Sequence, residues 1–214
     1  MNMSSFDYIV VGAGSAGCVL ANRLSANGRH KVCVIEAGPE ANISMAKIPS
    51  AFAYFMFSRK YNWSYNAKAD KSIRGGASLF VPRGKAVGGS SVTNAMVYIR
   101  GQREDYDEWE KAGNPGWSYE DLLPYFKKAE CNENGADAFH GDAGPLHVSN
   151  AKHAYPISEV FLKAANQAGH HTNHDFNGRS QEGVGTWQCT TKNGERCSSA
   201  SAYLDPVRHR PNLT

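Results

Sequence analysis

The sequence predicts an α/β fold that opens on a strand–helix–strand unit with parallel strands. Three observations carry this. Two short apolar runs, at 7–11 and 31–35, flank a stretch of helical periodicity. The first run ends in Gly12, and the pattern Gly12-x-Gly14-x-x-Gly17 opens the helix. The second run ends in an acidic residue, Glu36. Strand, helix and strand within about 30 residues make one βαβ unit, whose crossover is expected to be right-handed.

Taken in order, Asp7, Tyr8, Ile9, Val10 and Val11 read as a buried parallel strand. Ala16, Val19, Leu20 and Leu24 then recur at helical spacing, and Asn27-Gly28 is the stop signal. Lys31, Val32, Cys33, Val34 and Ile35 form the second strand. Residues 37–74 lack a period but carry Phe52, Tyr54, Phe55, Phe57, Tyr61, Trp63 and Tyr65. So long an irregular stretch reads as a functional lid or inserted segment, with its rings in core or lid packing. A helix is expected over 104–112, stopped at Gly113-Asn114-Pro115-Gly116. Ser118, with Asp121 three residues on, caps the next helix, whose apolar face is Tyr119, Leu122, Leu123 and Phe126 and whose Pro124 is expected to kink or shorten it. Residues 135–145 read as loop. Pro156 suits a first helical turn, with Ile157, Val160, Phe161, Ala164 and Ala168 as the inner face and Gly169 as the stop. Turn signals at Asn177-Gly178 and Asn193-Gly194 flank a candidate strand over 183–190.

Composition narrows the function. The chain has 214 residues, 41% hydrophobic and 20% charged, which suffices for a core without staples. Its 21 glycines and 9 prolines fall well short of the roughly 25–30% that marks low complexity. A net charge of +3 is too small to argue for nucleic acid or an anionic membrane surface. The five cysteines are odd in number and form no CxxC pair, so a disulfide framework or zinc ribbon is not expected and a reducing compartment is. The longest apolar run, 51–57, is far below the ~18–20 residues of a membrane span, and residues 1–5 lack a basic leader. No transmembrane segment is expected, and peripheral membrane contact stays open.

Two segments carry chemistry. In the first, Gly12 permits a tight turn, Gly14 leaves room for a pyrophosphate and Gly17 lets helix and strand pack closely. Glu36, about 20 residues on, can accept hydrogen bonds from ribose hydroxyls and would repel a 2′-phosphate. The motif separates neither FAD from NAD nor an enzyme from an inactive nucleotide-binding fragment. The second segment, 82–101, runs Pro82-Arg83-Gly84-Lys85-Ala86-Val87-Gly88-Gly89-Ser90-Ser91 and on through Asn94, Ala95, Met96 and Val97. Its glycines and serines can present backbone N–H groups to an anion or electron-rich ring, or be a plain glycine-rich loop. His170, His171, His174 and Asp175 lack a clean metal-ligand spacing, so no metal is expected. Lys127-Lys128 and Arg208-His209-Arg210 read as solvated charges, and Cys197 as a small packed side chain.

Together the two segments resemble the glucose–methanol–choline (GMC) family of FAD-dependent oxidoreductases, nearest its choline and alcohol dehydrogenase branch. The likeness runs on through Asp105-Tyr106-Asp107, Gly116-Trp117-Ser118, His140-Gly141, Asp175-Phe176-Asn177-Gly178, Arg196-Cys197-Ser198 and Arg210-Pro211-Asn212-Leu213. It implies a Rossmann-like FAD-binding domain over 1–152 with a lid insertion around 38–74. The beginning of an α+β substrate-binding domain over 153–208 and a return to the FAD domain at 209–214 would follow, the whole being truncated. It implies that Gly12, Gly14, Ser15, Gly17 and Glu36 bind the ADP half of FAD, and that Ala86, Gly89, Asn94, Ala95, Met96 and Val97 line the flavin end. Thr93 stands where some relatives carry a flavin-linked histidine, so FAD is expected to be non-covalent. The reaction implied is oxidation of a primary alcohol, choline or aliphatic, to the aldehyde, with oxygen, a quinone or another carrier as electron acceptor. The implied location is cytoplasmic, with the inner membrane as the surface for peripheral contact. Catalytic residues are expected beyond residue 214, since none of the eight histidines matches the catalytic position. An NAD-dependent dehydrogenase is the rival, disfavoured by the second glycine-rich segment and the long insertion after Glu36.

Overall fold

The computed structural model describes residues 5–41, 44–72, 75–152 and 155–214. The chain forms two compact units, one of Met1–Met96 with Asn193–Thr214 and one of Val97–Lys192. His153 and Ala154, at the expected domain boundary, lie outside the described residues, as do 42–43 and 73–74 of the expected lid.

The first unit opens with β1 (Tyr8–Val11), α1 (Ser15–Leu24) and β2 (Val32–Ile35). The strands pair in parallel, Tyr8 opposite Val32 and Val11 opposite Ile35. A third stretch joins β2: Val32 N–H donates to Asn212 O (2.8 Å), Thr214 N–H to Val32 O (2.9 Å) and Val34 N–H to Thr214 O (2.8 Å). The same segment holds α1. Arg210 Nη1 donates to Asn22 O (2.6 Å) and Ser25 Oγ (2.8 Å), and Asn212 Nδ2 to Ser25 O and His30 O. The expectation that β1 is buried is corrected: only Val10 is, while Ile9 and Val11 are 60% and 83% exposed. A parallel strand is buried when layers cover both of its faces, and the described residues do not supply both for β1.

Residues 37–74 are not the irregular stretch expected. They contain α2 (Ser44–Lys47), a 3₁₀ turn Pro49–Ala51 and α3 (Phe52–Phe57). Phe55 and Tyr61 meet edge to face and pack with Ala46, Ala86 and Val92 into one buried cluster. This segment therefore supplies core beneath the second glycine-rich stretch, while Tyr54, Phe57, Trp63 and Tyr65 stay exposed. β3 (Tyr65–Asn66) and β4 (Phe80–Val81) form an antiparallel pair, and a 3₁₀ turn follows at Gly89–Ser91.

In the second unit, β5 (Val97–Tyr98), α4 (Arg103–Lys111), α5 (Tyr119–Ala129), β6 (Glu130–Asn132), β7 (Leu146–Asn150), α6 (Pro156–Gln167), β8 (Gln188–Cys189) and β9 (Thr191–Lys192) follow. The sheet order is β5-β8-β7-β6, with β6 and β7 parallel and the other pairs antiparallel. Ser118 caps α5 as expected: its Oγ accepts the Asp121 N–H at 3.2 Å and Asp121 Oδ2 accepts the Ser118 N–H. Pro124 does not break α5, which runs on to Ala129. Two expectations fail. The strand over 183–190 contracts to Gln188–Cys189, because β8 pairs β5 and β7 only over that dipeptide. The inner face of α6 is not buried, with Ile157, Val160 and Phe161 58–71% exposed. Helical periodicity marks a face that can be covered, and no described layer of this unit covers it.

The centre of this unit is polar. Glu130 is fully buried and accepts from Arg100 Nη2 at 2.7 Å and Asn132 Nδ2 at 2.8 Å. His140 Nδ1 lies 2.9 Å from Glu130, and its Nε2 lies 3.0 Å from Asp175 Oδ2. Hydrogen bonds to Asp175 and Glu130 raise the His140 pKa from 6.5 to about 9, against the opposing effect of burial. Glu130, Arg100 and Asp175, with the ion-paired His140 and the amide of Asn132, thus tie β6 to three loops. The first unit resumes with β10 (Glu195–Arg196), a π turn at Ala200–Leu204 and a 3₁₀ turn at Asp205–Val207.

Candidate cofactor site

The β1–α1 turn builds the site from the backbone up. Gly12 N–H donates to Ile35 O at 2.7 Å, fixing the turn to the end of β2. A Cβ at Gly17 would lie 1.9 Å from Gly12 O, so only glycine lets the helix sit this close to the strand. Gly14 caps α1 without a side-chain bond, and no acidic residue occupies the first turn. The N–H groups that every helix leaves without an intrahelical acceptor, here from Ser15 onward, form the positive dipole end, and no acidic side chain of the first turn offsets it. A Cβ at Gly14 would meet no protein atom within 4 Å, so the space beside this turn is open.

Glu36 closes the other side. It is half-buried, and its two oxygens accept the N–H groups of Ala13 and Gly38, each at 2.8 Å. A carboxylate offers about four acceptor positions, so two remain for further donors. A cavity of about 440 Å³ opens here, lined by Ala13, Val34, Glu36, Gly38, Val87, Leu204, Leu213 and Thr214, among others. Arg208 stands at its rim, bidentate to Glu40 at 2.8 and 2.9 Å and bonded through Nε to Asp205.

The second glycine-rich segment packs directly on the first. Gly88 N–H donates to Ala13 O at 2.7 Å, and a Cβ at Gly89 would stand 2.7 Å from Gly14 Cα. Ala86 is fully buried in the cluster below. Asn94 and Ala95 are exposed, and Met96, buried, takes a left-handed conformation at φ 62°. Asn94 Oδ1 accepts the Met96 N–H and a bond from Arg196 Nη1. Ten of the eleven candidate residues thus belong to the first unit, Gly14 and Gly89 in near contact, whereas Val97 opens the second unit as the first residue of β5. Position 93 is a buried threonine.

The sequence reading gives no part in the site to Arg196, to Arg208, which it takes as a solvated charge, or to the cavity walls Leu204, Leu213 and Thr214. No motif spacing links residues near 12 to residues near 210, so only the folded chain joins them. Among the described residues no group of three or more His, Cys, Asp or Glu side chains is placed to hold a metal ion. Asp175, from the histidine-rich stretch, instead pairs with His140. No helix among the described residues is long and apolar enough to cross a membrane.

Comparison with known proteins supplies the family. The chain is 46% identical over 215 residues to mitochondrial choline dehydrogenase of Mus musculus, covering 97% of this chain and 36% of that protein. It is 48% identical over 209 residues to the alcohol dehydrogenase (acceptor) of Pseudomonas putida, covering 97% and 38%. The chain therefore spans little more than a third of the length of these relatives. Its fold superposes on a solved FAD-dependent oxidoreductase from Chaetomium thermophilum with a TM-score of 0.87 at 32% identity, over 98% of this chain and 38% of that one. The family model described as GMC oxidoreductase matches residues 6–214, which takes in both glycine-rich segments, Glu36 and the returning strand, and the chain belongs to that family.

Proposed function

We propose that this chain is the cofactor-holding part of an alcohol-oxidising flavoenzyme, with FAD as the non-covalently bound cofactor. The observation that carries the reading is the open, anion-ready turn at Gly14 beside Glu36 and a cavity of about 440 Å³. The pieces fit FAD: a helix first turn without acidic residues for the pyrophosphate, acceptor capacity on Glu36 for the ribose, and the Val34, Val87, Leu204 and Leu213 walls of the cavity for the adenine. Gly12, Gly14, Ser15, Gly17 and Glu36 hold the ADP half, and Ala86, Gly89, Asn94, Ala95, Met96 and Val97 the flavin end. Thr93 offers no ring nitrogen for a covalent bond. In this reading residues 1–152 serve FAD, 153–208 begin the substrate-binding part and 209–214 return to the FAD domain.

When bound, FAD would supply a two-electron acceptor, with N5 as the hydride acceptor, for oxidation of a primary alcohol, choline or aliphatic, to the aldehyde. The residues of this chain bind and orient it, and none is assigned the role of base. Oxygen, a quinone or another carrier takes the electrons onward. The location is cytoplasmic, with the inner membrane as a surface for peripheral contact.

Gly14→Val tests the reading. A Cβ at position 14 meets no protein atom within 4 Å, so the variant is expected to fold, while its branched side chain occupies the pyrophosphate space. Flavin absorbance of the purified variant should vanish while its circular dichroism matches the parent. Equal FAD content in both would refute the assignment.

A further inference from the structure

Arg196 is 95% buried, at 5% exposure, yet among the described residues only one of its three guanidinium nitrogens is bonded. Nη1 donates to Ser91 O at 3.1 Å and to Asn94 Oδ1 at 2.8 Å. Nε and Nη2 have no partner among the described residues. Both bonded acceptors are neutral. The adjacent carboxylate, Glu195, faces Lys47 at 3.5 Å, and no described carboxylate pairs with Arg196. Ser91 itself is fixed from the same segment, its Oγ accepting the Ser199 N–H at 2.9 Å. Burial pushes the guanidinium down to about 10, so it stays charged at neutral pH. A buried cation held only by neutral groups is costly, and an anion close by is what offsets it.

We propose that Arg196 is a positioning residue that anchors the Asn94–Met96 turn and whose buried charge stabilises the negative charge left on FAD by two-electron reduction. The inference rests on the assignment of that turn to the flavin end. Its unpartnered nitrogens are sealed from solvent, so the charge acts across Asn94 rather than by direct contact. The step balances as two electrons and one proton taken up by oxidised FAD, the alcohol carbon delivering both as hydride. The second proton of the alcohol leaves from its hydroxyl. The product carries one negative charge more than oxidised FAD, and Arg196 favours it over the form with a second proton.

The test is potentiometry of the FAD-loaded protein, with flavin uptake scored first. The parent should show about 30 mV per pH unit between pH 6 and 8, the slope of one proton for two electrons. Arg196→Met should bind reduced FAD at least tenfold more weakly relative to oxidised FAD, which lowers the midpoint by about 30 mV or more. Arg196→Lys, which keeps the charge, should restore most of that. A parent slope of about 59 mV per pH unit overturns the proposal even if neither variant folds. So does a Met variant with an unchanged midpoint, or one whose loss falls equally on oxidised FAD, the result expected if the charge served the pyrophosphate. A parent that takes up no flavin overturns the FAD assignment and this inference together, whereas the other outcomes leave that assignment standing.

Discussion

His140 should make the stability of the protein fall across an alkaline window. Its imidazole bridges Asp175 and buried Glu130, and these bonds favour the charged ring. A histidine raised from 6.5 to about 9, at 1.36 kcal/mol for each pH unit, contributes about 3 kcal/mol. Because the folded pKa is the higher one, this contribution is complete below pH 6.5 and drains away as pH rises through about 9. Glu130 keeps Arg100 as partner at high pH, so the loss is that of the histidine rather than of the whole network. The assay is urea unfolding followed by tryptophan fluorescence at pH 6, 7.5, 9 and 10, on the parent and on His140→Gln. The parent should lose about 3 kcal/mol more than the variant between pH 6 and 10. Equal losses, or an imidazole that titrates near 6.5 by NMR, would refute the reasoning.

Three further outcomes are expected. Gly17→Ala should destabilise the first unit by at least the 1–3 kcal/mol of an overpacked core, since its Cβ collides with backbone at Gly12, and thermal unfolding measures this. Glu36→Ala should weaken FAD binding by roughly 1.5–3 kcal/mol, the range for a lost charged hydrogen bond, and titration of the apoprotein reads it as a tenfold or greater rise in Kd. FAD should pass into the supernatant when the protein is precipitated in acid, because Thr93 cannot hold it covalently; flavin retained in a washed, proteolysed pellet would contradict this.

What the sequence makes legible is local. The βαβ unit is readable because period, glycine spacing and a terminal acid lie within about 30 residues, and the Ser118 cap because a capping box spans four. Burial is harder to read. Ile9 and Val11 carry the apolarity of a covered strand, but exposure depends on a second layer, which one segment cannot report. Phe55 and Phe57 look alike in sequence, yet one is core and the other 70% exposed, since α3 turns only one face inward. The Glu130–His140–Asp175 chain is invisible for the same reason: its members are scattered over a strand, a loop and a turn. Arg196 could have been suspected only from its place in a family-like motif, and its unsatisfied nitrogens come from packing alone.

The dependence of the cavity on the 204–214 segment also sets an order of events during synthesis. Gly14 and Glu36 emerge from the ribosome roughly 170–200 residues before Leu213 and Thr214, which at about 5–20 residues per second is a delay of about 10–40 s. Until then β2 lacks its second partner, α1 lacks the Arg210 and Asn212 bonds that hold it, and the cavity beside Glu36 has no far wall. On the proposed reading, the site for FAD is complete only once translation has passed residue 214, and a nascent chain stalled earlier exposes the glycine-rich turn without the 204–214 wall.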